Sequence, residues 1–100
     1  MAEKLMHSYE TIFIIDAGLD EEATKAVVEK FTNLIAANGT VEEVDEWGKR
    51  RLAYEIDDKT EGYYVLVNFT SDADFPKELD RQYRITDTVL RTIIVRRDEK

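Results

Sequence analysis

The chain contains no cysteine and only one histidine, His7. The missing cysteines exclude a disulfide scaffold, a thiolate nucleophile, a cysteine-ligated zinc site and an iron–sulfur cluster together. A lone histidine near the N-terminus forms neither a catalytic dyad nor a zinc site. No apolar run approaches the roughly 20 residues that span a bilayer, and residues 1–6 lack the apolar core of a secretory signal. We therefore expect a cytoplasmic protein with no cofactor, no metal and no membrane partner.

Proline and glycine are also scarce, with one and four residues respectively, and no residue type forms a long run. This composition excludes a low-complexity chain. With 100 residues, of which 43% are hydrophobic, the chain is long enough for one core and too short for two. We expect a single domain over residues 1–100, with flexible ends at 1–6 and 98–100.

The charge is unevenly distributed along the chain. The formal net charge is -8, and residues 16–46 hold nine acids against two lysines. Residues 81–97 reverse the balance, with five arginines against Asp87, and a second basic group lies at Lys49, Arg50 and Arg51. Such asymmetry favours a protein that contacts phosphate on one side and keeps the other side solvated.

The hydrophobic pattern predicts six elements. Alternating or two-sided apolar residues predict strands over 7–15, 40–56, 63–70 and 88–97, with a bend at Gly48 in an edge-type second strand and a polar loop over 57–61. Three- and four-residue spacing predicts a helix between Asp20 and Gly39, with Ala26 on its apolar stripe, and a short helix from Pro76. The order is that of a ferredoxin-like α+β fold, a split β-α-β (βαββαβ) with a four-stranded antiparallel sheet and two helices on one face.

One row of side chains on this sheet has two interpretations. Ile12, Ile14, Tyr64 and Leu66 alternate with a second apolar row in their strands. They are either the core row or an apolar patch on the face that the helices leave open, which would mark a partner interface. Trp47, the only tryptophan, lies beside the Gly48 bend and belongs to the same predicted interface.

The cations also have two interpretations. Three adjacent cations at a bend, Lys49, Arg50 and Arg51, either block edge-to-edge aggregation or contact phosphate. Four arginines of the last two elements either balance nearby acids or form a strip along an RNA backbone, which arginine contacts in bidentate fashion: Arg84, Arg91, Arg96 and Arg97.

Two other functions are compatible with the topology. A small hydrolase of the acylphosphatase kind needs a loop after the first strand that holds phosphate, but here residues 16–20 place two acids around one glycine. A regulatory ligand-binding domain that dimerises through its sheets explains the two-sided strands equally well. Adjacent carboxylates such as Glu42 and Glu43 point to opposite faces of a strand and form no acid–base pair.

Four segments in order resemble one family, the sixth small-subunit ribosomal protein of bacteria. They are Tyr9-Glu10, residues 47–56 (WGKRRLAYEI, similar to Gly-x-Arg-x-Leu-Ala-Tyr-Pro-Ile), residues 62–66 (GYYVL), and Tyr83-Arg84-Ile85 with residues 87–96. The sequence departs from the family pattern at Glu55, where proline is usual, and at His7, where arginine is frequent.

The resemblance implies a role that the residues alone do not give. It implies a non-catalytic structural component of the small ribosomal subunit. Such a protein pairs with the eighteenth small-subunit protein, and the two bind the central domain of small-subunit (16S) ribosomal RNA. On this basis we expect phosphate contacts from the seven cations above and partner contacts from Ile12, Ile14, Trp47, Tyr64 and Leu66, with no small-molecule substrate.

Overall fold

The computed structural model describes residues 5–56 and 59–97, and it places six elements in the predicted order. They are β1 (His7–Asp16), α1 (Glu21–Asn38), β2 (Gly39–Ile56), β3 (Lys59–Ser71), α2 (Phe75–Arg84) and β4 (Val89–Arg96). The strands form one sheet in the order β2-β3-β1-β4, with every neighbouring pair antiparallel. The predicted ferredoxin-like topology is confirmed. The ends at 1–4 and 98–100, part of the regions expected to be flexible, lie outside the described residues.

The core lies between one sheet face and the two helices. Alternate residues of β1 and β3 enter it, and α2 adds Phe75, Leu79 and Tyr83. The rings of Phe13, Phe31 and Tyr83 pack with centroids 4.6 to 5.4 Å apart. The Tyr83 hydroxyl is hydrogen-bonded to the buried Thr11 hydroxyl at 3.0 Å, and burial raises the pKa of Tyr83. This pair satisfies two polar groups that would otherwise be costly to bury.

Helix α1 begins and ends where the sequence predicts. The Asp20 carboxylate accepts a hydrogen bond from the Ala23 amide at 2.7 Å, and the helix stops at Asn38, directly before Gly39. Its buried residues are Val28, Phe31 and Ile35. The predicted stripe is therefore wrong at Ala26, which is exposed, because the face against the sheet is centred on Val28. None of the described helices is long and apolar enough to cross a membrane.

The β2–β3 hairpin is longer than predicted. Of the loop predicted at 57–61, residues 57 and 58 lie outside the described residues, but Lys59, Thr60 and Glu61 belong to β3. Gly62 lies within β3, and a Cβ there would overlap the Ile14 side chain. The prediction failed because the hairpin contains polar residues that pair as strands.

Strand β2 is the bent edge strand that the sequence predicts. Its register against β3 shifts between Val41 and Glu43 and again between Glu46 and Gly48. Gly48 has a φ of 84°, a backbone conformation that glycine adopts without strain. Each bulge inserts one extra residue, Glu42 or Trp47, and so changes the face that the following side chains take.

Candidate partner and RNA interfaces

The sheet face opposite the helices, called the open face below, carries a continuous apolar patch. Ile12 lies between Leu66 of β3 and Ile93 of β4, and Ile14 lies between Tyr64 and Arg91. Because these residues alternate with the core row of the same strands, they point away from the helices. The structure therefore places Ile12, Ile14, Tyr64 and Leu66 on the open face and not in the core row against the helices. Their contact with a partner stays a prediction.

The residues of the open face differ in how much of each side chain is accessible to a partner. Ile14 is only 8% exposed, because it lies beside Leu52 over Gly62. In contrast, Ile93 is 52% and Val95 46% exposed. A partner would therefore contact β4 more than Ile14. Ile93 and Val95 are absent from the predicted interface, although the alternation of side chains within β4 indicates that they share one face.

Trp47 extends the patch onto the edge strand. Its ring stacks on Tyr64 at 6.1 Å between centroids with 15° between the planes, and it is 39% exposed. The indole N–H donates to the Asp45 carboxylate at 2.9 Å. Large aromatic rings held in one orientation are typical anchors of protein interfaces.

The predicted basic group at the bend is divided between the two sides of the sheet. Arg50 pairs with Gly62 and takes the open face, whereas Lys49 and Arg51 pair with Tyr63 and Glu61 and take the helix side. Lys49 lines a cleft of about 440 Å³ together with Glu21, Glu46 and others. In the same cleft the Tyr63 hydroxyl donates to Glu46 at 2.9 Å, and this hydrogen bond raises the pKa of Tyr63.

The four arginines of the last two elements do not form one strip. Arg84 is paired with Asp80 at 2.8 Å with its side chain 78% exposed, and it lines a depression of about 250 Å³ with Arg91. Arg96 and Arg97 lie at the opposite end of β4, since Arg96 pairs with Tyr9 and the Arg97 amide donates to the Ser8 carbonyl.

Five of the seven predicted RNA-binding residues nevertheless lie at one end of the sheet. This end, called the basic end below, holds the β2 bend, the start of β4 and the end of α2. Its cations are Lys49, Arg50, Arg51, Arg84 and Arg91.

The loop after β1 is unsuited to phosphate. The Asp16 carboxylate accepts from the Gly18 amide at 2.9 Å, and the Asp20 carboxylate caps α1. Both carboxylates occupy amides that a phosphate would need, and their charge would repel it. The geometry disfavours a hydrolase of the acylphosphatase kind.

Comparisons with known proteins agree on one family. The profile described as Ribosomal protein S6 matches residues 8–96. A small ribosomal subunit protein bS6 of Clostridium botulinum (strain 657 / Type Ba4) is 59% identical over 91 residues, which are 90% of this chain and 97% of the relative. A bS6 protein of Clostridium perfringens is 56% identical over 95 residues, covering 94% and 100%. The crystal structure of 30S ribosomal protein S6 from Thermotoga maritima superimposes with a TM-score of 0.88 at 33% identity, covering 93% of this chain and 89% of that one.

Proposed function

Since the chain belongs to the ribosomal protein S6 family, we propose that it binds the central domain of small-subunit ribosomal RNA together with the eighteenth small-subunit ribosomal protein. Family membership makes the chain a ribosome-associated structural protein of the small subunit and not an enzyme. The proposal adds the RNA domain and the protein partner to that identity.

The open face supports the partner half of the proposal. It leaves Trp47, Ile93 and Val95 between 39% and 52% exposed around the less exposed Ile12 and Leu66. Burial of apolar surface is favourable by about 25 cal/mol per Å². Such a patch therefore has a strong tendency to be covered by a partner. Charged residues such as Glu10, Asp45 and Arg91 border it, as polar residues do in protein interfaces generally.

The basic end supports the RNA half. Two of its cations, Arg50 and Arg91, lie on the open face, on the other side of the sheet from the exposed acids of α1. Lys49, on the helix side, shares a cleft with Glu21 of α1. With a net charge of -8, however, the whole molecule repels a polyanion at long range. We therefore expect weak binding to RNA by the protein alone and strong binding once a basic protein partner has joined it.

Filter binding to a transcript of the central domain, with and without the eighteenth protein, tests this function. We expect the partner to increase the affinity at least tenfold. Equal affinity with and without the partner, or no complex between the two proteins, would contradict the proposal. A transcript of another rRNA domain is the control for nonspecific binding, which every cationic surface shows at low salt.

A further inference from the structure

One corner of the open face carries three carboxylates around a buried amide. This acidic corner consists of Glu10, Glu43, Asp45 and Asn68. Glu43 pairs with Asn68, and Asn68 pairs with Glu10, so these three lie in one row across β2, β3 and β1. Asp45 lies one row further along, opposite Leu66. Neighbouring strands are about 4.8 Å apart, so the two glutamates flank Asn68 at about 10 Å from each other.

Asn68 has an unmet hydrogen-bonding group in this row. Its side chain is only 8% exposed, and its Nδ2 group donates to the Glu43 carboxylate at 3.1 Å. Its Oδ1 atom is buried and accepts no hydrogen bond from the described residues. A buried acceptor without a donor is uncommon in native proteins. The acidic corner thus combines negative charge with a hydrogen-bond acceptor, Asn68 Oδ1, that lacks a donor among the described residues.

From these contacts we infer that the open face recognises a protein partner by receiving one of the partner's arginine or lysine side chains in the acidic corner. The inference rests on the proposed function and adds a polar anchor to it. A cation between Glu10 and Glu43 would offset part of their negative charge and donate to Asn68 Oδ1, and such charge-assisted hydrogen bonds are about twice as strong as neutral ones.

The surroundings of the corner favour a protein over RNA. Val95 lies in the same row, opposite Glu10, and Ile12 and Ile93 occupy the next row, so a cation there lies directly beside exposed apolar surface. A partner segment with one cationic and several apolar side chains fits this combination. A phosphate would meet three carboxylates, and the nearest cation by register, Arg97, lies two residues beyond Val95, just after β4 ends.

Paired substitutions of equal charge test the inference. Glu10→Gln with Glu43→Gln removes two charges and keeps an acceptor for Asn68 Nδ2, whereas Glu22→Gln with Glu29→Gln removes two charges from exposed positions of α1. Binding of the eighteenth protein is measured by calorimetry at several salt concentrations. We expect the first variant to bind at least tenfold more weakly with a flatter salt dependence, and the control to stay within twofold of the wild type.

The outcomes separate this inference from the proposed function. If the wild type binds and both variants bind equally well, the corner is not the anchor and the proposed function stands. If the wild type does not bind the eighteenth protein, the proposed function fails and the inference fails with it. If, at physiological salt, the first variant binds the partner normally but binds the rRNA transcript at least tenfold more tightly, the occupant of the corner is RNA and the inference is wrong.

Asn68→Leu gives a second readout of opposite sign. Replacing the amide by an apolar side chain of similar size removes the unmet acceptor, so we expect the melting temperature of the free protein to rise. Binding of the eighteenth protein should nevertheless weaken at least threefold, because the partner loses an acceptor. A variant that is more stable and binds unchanged or more tightly would contradict the role of Asn68.

Discussion

Replacing Arg50 and Arg91 together by alanine should make RNA binding weaker and less sensitive to salt. Both residues lie on the open face at the basic end, where Arg50 pairs in register with Gly62 and Arg91 with Ile14. They belong to the two edge strands, β2 and β4, which lie three strand spacings, or about 14 Å, apart. At that separation their guanidinium groups reach different phosphates, so two contacts are lost.

The expected magnitude follows from the number of contacts. Each lost phosphate contact lowers the slope of log affinity against log salt by about 0.9 on duplex-like nucleic acid, hence about 1.8 for the pair. The ratio of wild-type to variant affinity should therefore shrink about 12-fold between 50 and 200 mM salt. Exposed cations contribute about 0 to 1 kcal/mol each to the free energy of unfolding, so thermal unfolding should shift by only a few degrees.

Lys49→Ala with Arg51→Ala removes the same charge and serves as the control. Lys49 lies in the cleft that contains Glu46, and Arg51 pairs across the strands with Glu61. These acids offset the two cations, so the slope should change by less than about 0.9. Filter binding of the complex with the eighteenth protein over a salt series measures both variants. A normal slope for the first variant and a reduced slope for the control would place RNA on the helix side and refute the reasoning.

Three further predictions concern single sites. The emission of Trp47 should change when the eighteenth protein saturates the chain, because the ring is 39% exposed on the open face; constant emission would place the contact elsewhere. Gly62→Ala should lower the free energy of unfolding in urea by about 1–3 kcal/mol, because the new methyl group overlaps Ile14; an unchanged midpoint would contradict this. Hydrogen bonds, chiefly from Arg81, lower the pKa of Glu78 from 4.5 to about 2, so Arg81→Ala should raise that pKa in an NMR titration. The lowered pKa of Glu78 stabilises the fold above pH 4.5, and this contribution is lost as the pH falls towards 2. The melting temperatures of the Arg81→Ala variant and the wild type should therefore converge near pH 2.

The fold could be predicted from local patterns because they agree with one another. The alternation in β1 separates Tyr9, Phe13 and Ile15 from Ile12 and Ile14, and two helices on one side leave the second row open. The start of α1 at Asp20 followed from side-chain chemistry in the same way. The hairpin could not be predicted, because Lys59, Thr60 and Glu61 are polar residues typical of loops, and only their pairing with β2 makes them a strand.

The division of the cations could not be predicted for a different reason. A strand that slips by one residue sends every later side chain to the other face. β2 contains two such slips before Arg50, and the sequence indicates a bend at Gly48 without saying that Trp47 is the inserted residue. Whether Arg50 or its two neighbours share a face with Arg91 therefore depends on a register that only the structure provides. Arg96 and Arg91 lie on opposite faces of the sheet because side chains alternate along β4, and they lie at opposite ends of that strand.

The two ends of the open face can serve opposite charges because they are far enough apart for salt to screen one from the other. Glu10 and Ile14, which mark the acidic row and the row of Arg91, are four residues apart in β1, or about 13 Å. The screening length is about 8 Å at physiological ionic strength and about 30 Å at 0.01 M. The acidic corner therefore weakens phosphate binding at the basic end mainly in dilute salt. Glu10→Gln with Glu43→Gln should then increase the RNA affinity of the free protein at 0.01 M and leave it nearly unchanged at 0.15 M. An equal increase at both concentrations would mean that RNA lies over the corner itself.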